Sequence, residues 1–263
     1  MKTMHRVATA FCAATLAAAL LSLPQASFAA SGSGQAQGEN LAAQQAASRL
    51  KGKQFSNVKV SVDNGIATLT GTVELYQYKM DAEKKVGHAK AVTAVRNQIQ
   101  VAGPTVPDQE LKAKLSQQLT YDRVGFGHVF DAFTLGVQNG AVTIGGHAHN
   151  YFNRDSALVL VSTTPGVKDV IDDIQVDPVS GMDYRIRFAE EQAIYGYPTL
   201  NRYALDPARP IRISVQNGNV ELYGVVDSQS DKDIAFLRAN SVPGVFSVKN
   251  YLQVANQPTE KAK

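Results

Sequence analysis

Apolar and polar residues alternate on both sides of Asn64-Gly65, with Val58, Val60 and Val62 before the pair and Ile66, Leu69, Thr70 and Val73 after it. Alternation at period two gives each strand one buried face, and Asn-Gly accepts the positive φ that a type I′ turn requires at both central positions. Val58–Val73 is therefore a predicted β-hairpin, and it comes back twice. Phe133–His147 reads FTLGVQNGAVTIGGH, and Ile211–Val225 reads IRISVQNGNVELYGV. Gly65, Gly140 and Gly218 close the turns, while Gly71, Gly146 and Gly224 each fall six residues later. Val95–Val101, Val170–Val176 and Val248–Val254 all stand at one offset from their own turns. Three tandem copies of one module account for that offset, and a period longer than that of solenoid repeats gives each copy its own core.

Elsewhere the period is helical. Leu75, Tyr78, Ala82, Val86 and Ala89 fall at spacings of three and four, which predicts a second helix over 75–89. Asn40 is placed to cap a first helix over 41–51, with Leu41, Ala46 and Leu50 toward the core. Each module is then an αββαβ unit. A helix between two strands makes a crossover, so the last strand runs parallel to a neighbour in a three-stranded mixed sheet with both helices on one face, an α+β fold. In the second copy Leu111, Leu115 and Leu119 form the first helix stripe, and residues 151–164 repeat the second helix. Ala157 and Ala235 stand where Ala82 does, small enough for close helix–sheet approach. The third copy begins with a helix over 183–195. These patterns place module 1 at 40–103, module 2 at 108–177 and module 3 at 182–255, with an inserted loop at 196–210 and a disordered tail at 256–263.

Composition narrows the setting. The 263 residues are 44% hydrophobic and 19% charged, as in ordinary globular chains. Modules of this size sit near the lower limit for burying a sufficient core, so they are expected to pack on one another. Lys2, His5 and Arg6, the apolar run from Val7 to Leu23 and Ser27-Phe28-Ala29 together read as a signal peptide cleaved after Ala29. Export to the periplasm follows from that reading, with residues 30–39 as a flexible linker. Cleavage removes two basic residues and no acidic ones, leaving 24 against 23 and no basic excess for nucleic acid. It also removes Cys12, the one cysteine, and with it any disulfide or cysteine metal site.

The pattern V-x-V-x-x-x-N-G-x-x-x-L-x-G-x-V, a helix carrying a small residue, then P-G-V-x-x-V-x-N-x-L-x-V resembles the BON domain, named for bacterial osmotically inducible protein Y and nodulation proteins. The first copy has Ala91-Val92 in place of Pro-Gly, the second has Asp172 in place of Asn97 and Asn250, and the third carries the insertion. The resemblance implies a non-enzymatic envelope protein without cofactors, linked to osmotic or envelope stress, in peripheral contact with phospholipid or with periplasmic and outer-membrane proteins.

Candidate contact residues lie in three places. Lys79, Lys84, Lys85 and Lys90 follow the second helix of module 1 and suit anionic lipid, or simply a solvated face. Tyr121, Phe126 and Phe130 crowd one connection, and Tyr195, Tyr197, Arg202 and Tyr203 crowd another. Aromatic rings among Arg residues suit a headgroup interface or a polypeptide, as in a holdase, and they equally suit folding back over sheet edges. His147 and His149, at i and i+2 on a strand end, would share a face and with His128 or Asp155 make a weak metal site for a metal-dependent enzyme. No nucleophile elbow, phosphate loop or dinucleotide fingerprint occurs.

Overall fold

The computed structural model describes residues 32–121, 128–178 and 180–255. The signal segment, the tail from 256 and Phe126 lie outside the described residues. The first module contains α1 (Gly32–Ala47), β1 (Val58–Asp63), β2 (Ile66–Val73), α2 (Tyr76–Gly87), β3 (Ala94–Asn97) and β4 (Gln100–Val101). Helix begins at Gly32, within the segment expected to be a flexible linker, and ends at Ala47 rather than Lys51. Gly32, Gly34 and Gly38 disfavour helix, and the helix continues through them from Ala42 and Ala46, which are packed in the first core, a tertiary anchor that the composition of the segment does not show.

β1 and β2 pair antiparallel and β2 pairs parallel with β3. A two-residue turn sets Val62 opposite Ala67 and Val60 opposite Leu69. The buried face of β2 therefore holds Ala67, Leu69 and Val73, while Ile66 and Thr70 point outward, contrary to the sequence expectation. Ala42 and Ala46 of α1 and Ala82 and Val86 of α2 close that face, and Leu41 is exposed.

The second module repeats the order with α3 (Asp108–Tyr121), β5 (Ala132–Gln138), β6 (Ala141–Ala148), α4 (Tyr151–Thr163) and β7 (Asp169–Val176). In the third stand α5 (Gly181–Tyr195), α6 (Arg202–Leu205), β8 (Arg212–Gln216), β9 (Asn219–Tyr223), β10 (Val225–Val226), α7 (Gln229–Asn240), β11 (Ser247–Asn250) and β12 (Gln253–Val254). In both, the hairpin is antiparallel and the strand after the crossover is parallel to the hairpin's second strand. Each module has its own buried cluster.

All three hairpins turn as expected, with φ of 49°, 53° and 50° at Asn64, Asn139 and Asn217 and similar positive values at the following glycines. Successive turn N–H groups make a small anion nest, and an acid from the first helix fills it. Asp108 accepts from the N–H of Asn139 and Gly140 at 2.7 and 2.9 Å, and Asp183 from those of Asn217 and Gly218 at 3.1 and 2.8 Å. Glu39 makes a longer contact, 3.5 Å, to Asn64 N–H. The same staple fixes α5 as the first helix of module 3.

Asn97 explains why the last strand breaks into β3 and β4. Its amide donates to the Lys79 carbonyl at 3.0 Å, and its Oδ1 accepts from Ile99 N–H at 3.2 Å. Asn250 repeats both bonds with Lys232 and Leu252. Asp172 has no amide to donate. It accepts from Ile174 N–H, and Arg154, at the helix position of Lys79 and Lys232, brings a guanidinium to its other oxygen. Acid and arginine thus substitute together for amide and carbonyl. Arg154→Ala should cost module 2 about 1 kcal/mol, the pair being partly exposed. Adding Asp172→Asn to that variant should recover stability, and urea denaturation of the four-member cycle checks it.

The described residues from Glu39 to Ala255 form one compact unit. Tyr76 of α2 packs against the core of module 2, and Lys168 donates to the Gly103 carbonyl. Val129 and Phe130, in the connection before β5, enter the core of module 3. Between modules 2 and 3, buried Asp177 accepts from Arg187 Nη2 at 3.0 Å, Gln216 Nε2 at 2.9 Å and Ser214 Oγ at 3.3 Å.

Candidate functional site

Most of the aromatic candidates face inward. Phe130 is 7% exposed and belongs to the core of module 3. Tyr195 is buried and donates to the Ile211 carbonyl. Burial raises its pKa and keeps the phenol neutral. Tyr203, 2% exposed, donates to Asp231 at 3.0 Å and accepts from Asp227 N–H at 2.8 Å. Tyr197 is half-buried, with the Arg238 guanidinium 5.7 Å from its ring centroid. Arg202, half exposed, pairs with Asp231 and Asp227. These rings therefore cover the third sheet, as small modules require. Tyr121 alone of the described aromatic candidates is well exposed, at 51%.

The two histidines reach different partners. His147 Nδ1 lies 2.9 Å from Gln216 Nε2 and 3.6 Å from Asp177, with Glu221 3.8 Å from Nε2. The neighbouring Asp177 carboxylate, then the Glu221 charge, raise its pKa against the opposing effect of burial. His149 Nδ1 lies 2.9 Å from Asp131, which also accepts from Asn153 at 2.6 Å. Asp155 pairs with Arg154. The expected shared face is not formed, and among the described residues no group of three His, Cys, Asp or Glu is placed to hold a metal ion.

The lysines remain outside. Lys84, Lys85 and Lys90 are exposed, whereas Lys79 is half-buried with its Nζ 6.0 Å from the Tyr76 ring centroid. Arg49 and Lys51, just past α1, join Lys90 along a groove of about 480 Å³ whose lining contains no carboxylate. Sequence periodicity missed these two because they lie in a different chain segment from the lysine helix. Over residues 39–103 nine Lys and Arg face five Asp and Glu; over 107–178 five face nine. Opposite charge excess thus separates the first two modules, although the whole chain is nearly balanced. A second surface is apolar. Tyr184 and Phe188 are exposed on α5 with ring centroids 4.7 Å apart, and Phe188 meets Phe130 at 5.8 Å. Among the described residues no helix is long and apolar enough to cross a membrane.

The family model described as BON domain matches residues 39–103, 107–178 and 199–256. The chain belongs to the BON family. The third BON match begins beyond α5, which nevertheless holds its hairpin turn through Asp183. This BON protein is 29% identical over 123 residues to "Osmotically-inducible protein Y" of Escherichia coli (strain K12), across 43% of its own length and 56% of that protein's. The match thus spans little more than half of the relative. Two solved structures of CdsD, a structural protein of the type III secretion system of Chlamydia trachomatis, align with 80% of the BON chain at 14% identity. They are covered to 90% and 96%, with TM-scores of 0.24 and 0.22, too low to argue a common architecture.

Proposed function

We propose that this BON protein is a non-catalytic periplasmic protein that attaches peripherally to anionic phospholipid during osmotic or envelope stress. The observation that carries the reading is the cationic groove of Arg49, Lys51 and Lys90, flanked on α2 by Lys84 and Lys85, on the module with the positive excess. Basic side chains near an anionic membrane contribute about 1 kcal/mol each, so several together give useful, salt-sensitive attachment. The osmotic setting rests on the name of the Escherichia coli relative.

Co-sedimentation of the chain from Ala30 with phosphatidylcholine vesicles of graded phosphatidylglycerol content tests this. Binding should rise with anionic lipid, fall with salt, and weaken at least about tenfold when Lys84, Lys85 and Lys90 are changed to Glu. Absence of binding at every composition sinks the lipid reading. A second reading, holdase-like capture of polypeptides, draws on the exposed Tyr184–Phe188 pair. It predicts that Tyr184→Ser with Phe188→Ser abolishes suppression of client aggregation without changing lipid binding.

A further inference from the structure

On the sheet face of module 3 that points away from its helices, polar residues stand in two rows across the three strands. Ser214 of β8 pairs with Glu221 of β9, which pairs with Lys249 of β11. One pleat on, Gln216 pairs with Asn219, and Asn219 with Ser247. The ends of β6 and β7 bring His147 and Gln175 against this face, enclosing a cleft of about 340 Å³ with no aliphatic side chain in its lining. That volume lies at the small end of ligand pockets, about 300–1,000 Å³.

The fold does not dictate this lining. At the same register positions module 2 has Gly136, Thr143 and Ile171 in one row and Gln138, Ala141 and Asp169 in the other. Module 2 keeps one amide, Gln138, and one hydroxyl, Thr143, but puts Gly136, Ala141 and Asp169 where module 3 has Ser214, Asn219 and Ser247.

We propose that this cleft binds a neutral oligosaccharide. Gln216 Nε2 and Ser214 Oγ donate to Asp177, Asn219 Nδ2 to the Gln216 carbonyl and Ser247 Oγ to Asn219. That leaves chiefly acceptors, the Gln216 and Asn219 side-chain oxygens and Ser247 Oγ, to take the protons of sugar hydroxyls. Glu221 and Lys249 are 3.2 Å apart and offset one another, so the cleft has no uncompensated cation to select an anion. One pleat beyond them Tyr223 and Tyr251 stack at 5.2 Å and 19°, and Tyr223 stacks on His147. Tyr251 is half exposed and provides an aromatic face for the C–H side of a sugar ring. An extended peptide would instead need a free strand edge. The polar rows are centred on β9, which is paired on both sides.

The test is NMR titration of the ¹⁵N-labelled chain with N,N′,N″-triacetylchitotriose and maltotriose, both uncharged, with sodium phosphate and trialanine as separate arms. Saturable shifts of the Gln216 and Asn219 side-chain amides are expected with at least one sugar, with affinity on the order of millimolar. Asn219→Ala with Lys249→Ile, both residues that module 2 carries at matching positions, should weaken the sugar at least tenfold while the remaining spectrum persists. The proposal fails if neither sugar gives saturable shifts, if the variant binds as well as the parent, or if phosphate or trialanine shifts these amides and the sugars do not.

Discussion

Gly146→Ala should cost module 2 on the order of 3 kcal/mol or more, while Gly136→Ala in the same hairpin should be nearly silent. Gly146 has φ of 92°, and a Cβ there would sit 1.9 Å from the Ala132 carbonyl oxygen. That oxygen is backbone, paired into the sheet, and has no rotamer to escape into. At Gly136 the φ is ordinary and an added Cβ would meet nothing nearer than 3.8 Å. A module of roughly 70 residues has only about 4–10 kcal/mol of stability, so the loss is a large part of the total. Thermal melting should show a fall of more than about 10 °C for Gly146→Ala, with proteolysis starting in module 2. Equal melting of the two variants would mean that the close approach at Gly146 is not a constraint.

Glu190→Gln should stabilise the protein at pH 8 and leave it unchanged near pH 4.5. Glu190 is fully buried on α5, and neither carboxyl oxygen has a hydrogen-bond partner among the described residues. Arg187, one turn earlier, turns its guanidinium to Asp177 and to the Val215 carbonyl. Desolvation pushes the Glu190 pKa from 4.5 up to about 8. The folded state therefore keeps a proton that the unfolded chain releases near pH 4.5. Because the folded state binds the extra proton, stability falls as pH rises from about 4.5 to 8; below that window both states are protonated and no cost remains. By pH 8 the cost is on the order of 3 kcal/mol, allowing for relaxation around the charge. Gln has no charge to bury. Comparing parent and variant at each pH cancels other titrating groups, including His147. A stability gap that is the same at pH 4.5 and pH 8 would show that Glu190 is not the titrating group.

The hairpins were legible because their signals are local: Asn-Gly fixes the turn, and period two fixes the strands. The fixed offset of Gly71, Gly146 and Gly224 was visible too, but its cause lies in carbonyls across the sheet. What sequence missed is long-range. Asp108 and Asp183 staple turns more than thirty residues away. Whether Tyr195 and Tyr203 face in or out depends on the path of residues 196–210, which composition does not encode. The cationic groove joins chain segments on either side of the first hairpin, so a single-helix reading recovered Lys90 without Arg49 and Lys51.

The burial of Val129 and Phe130 in the third core bears on how the molecule is made. A chain that emerges N-terminus first presents these two side chains long before Ile211, Ile213 and Leu222, which share their cluster. Module 2 can complete its own sheet in the meantime, yet it carries a greasy hook with nowhere to lodge. The nascent chain is thus stickiest when two of its three repeats are finished, and the last repeat to emerge is the one that quenches it.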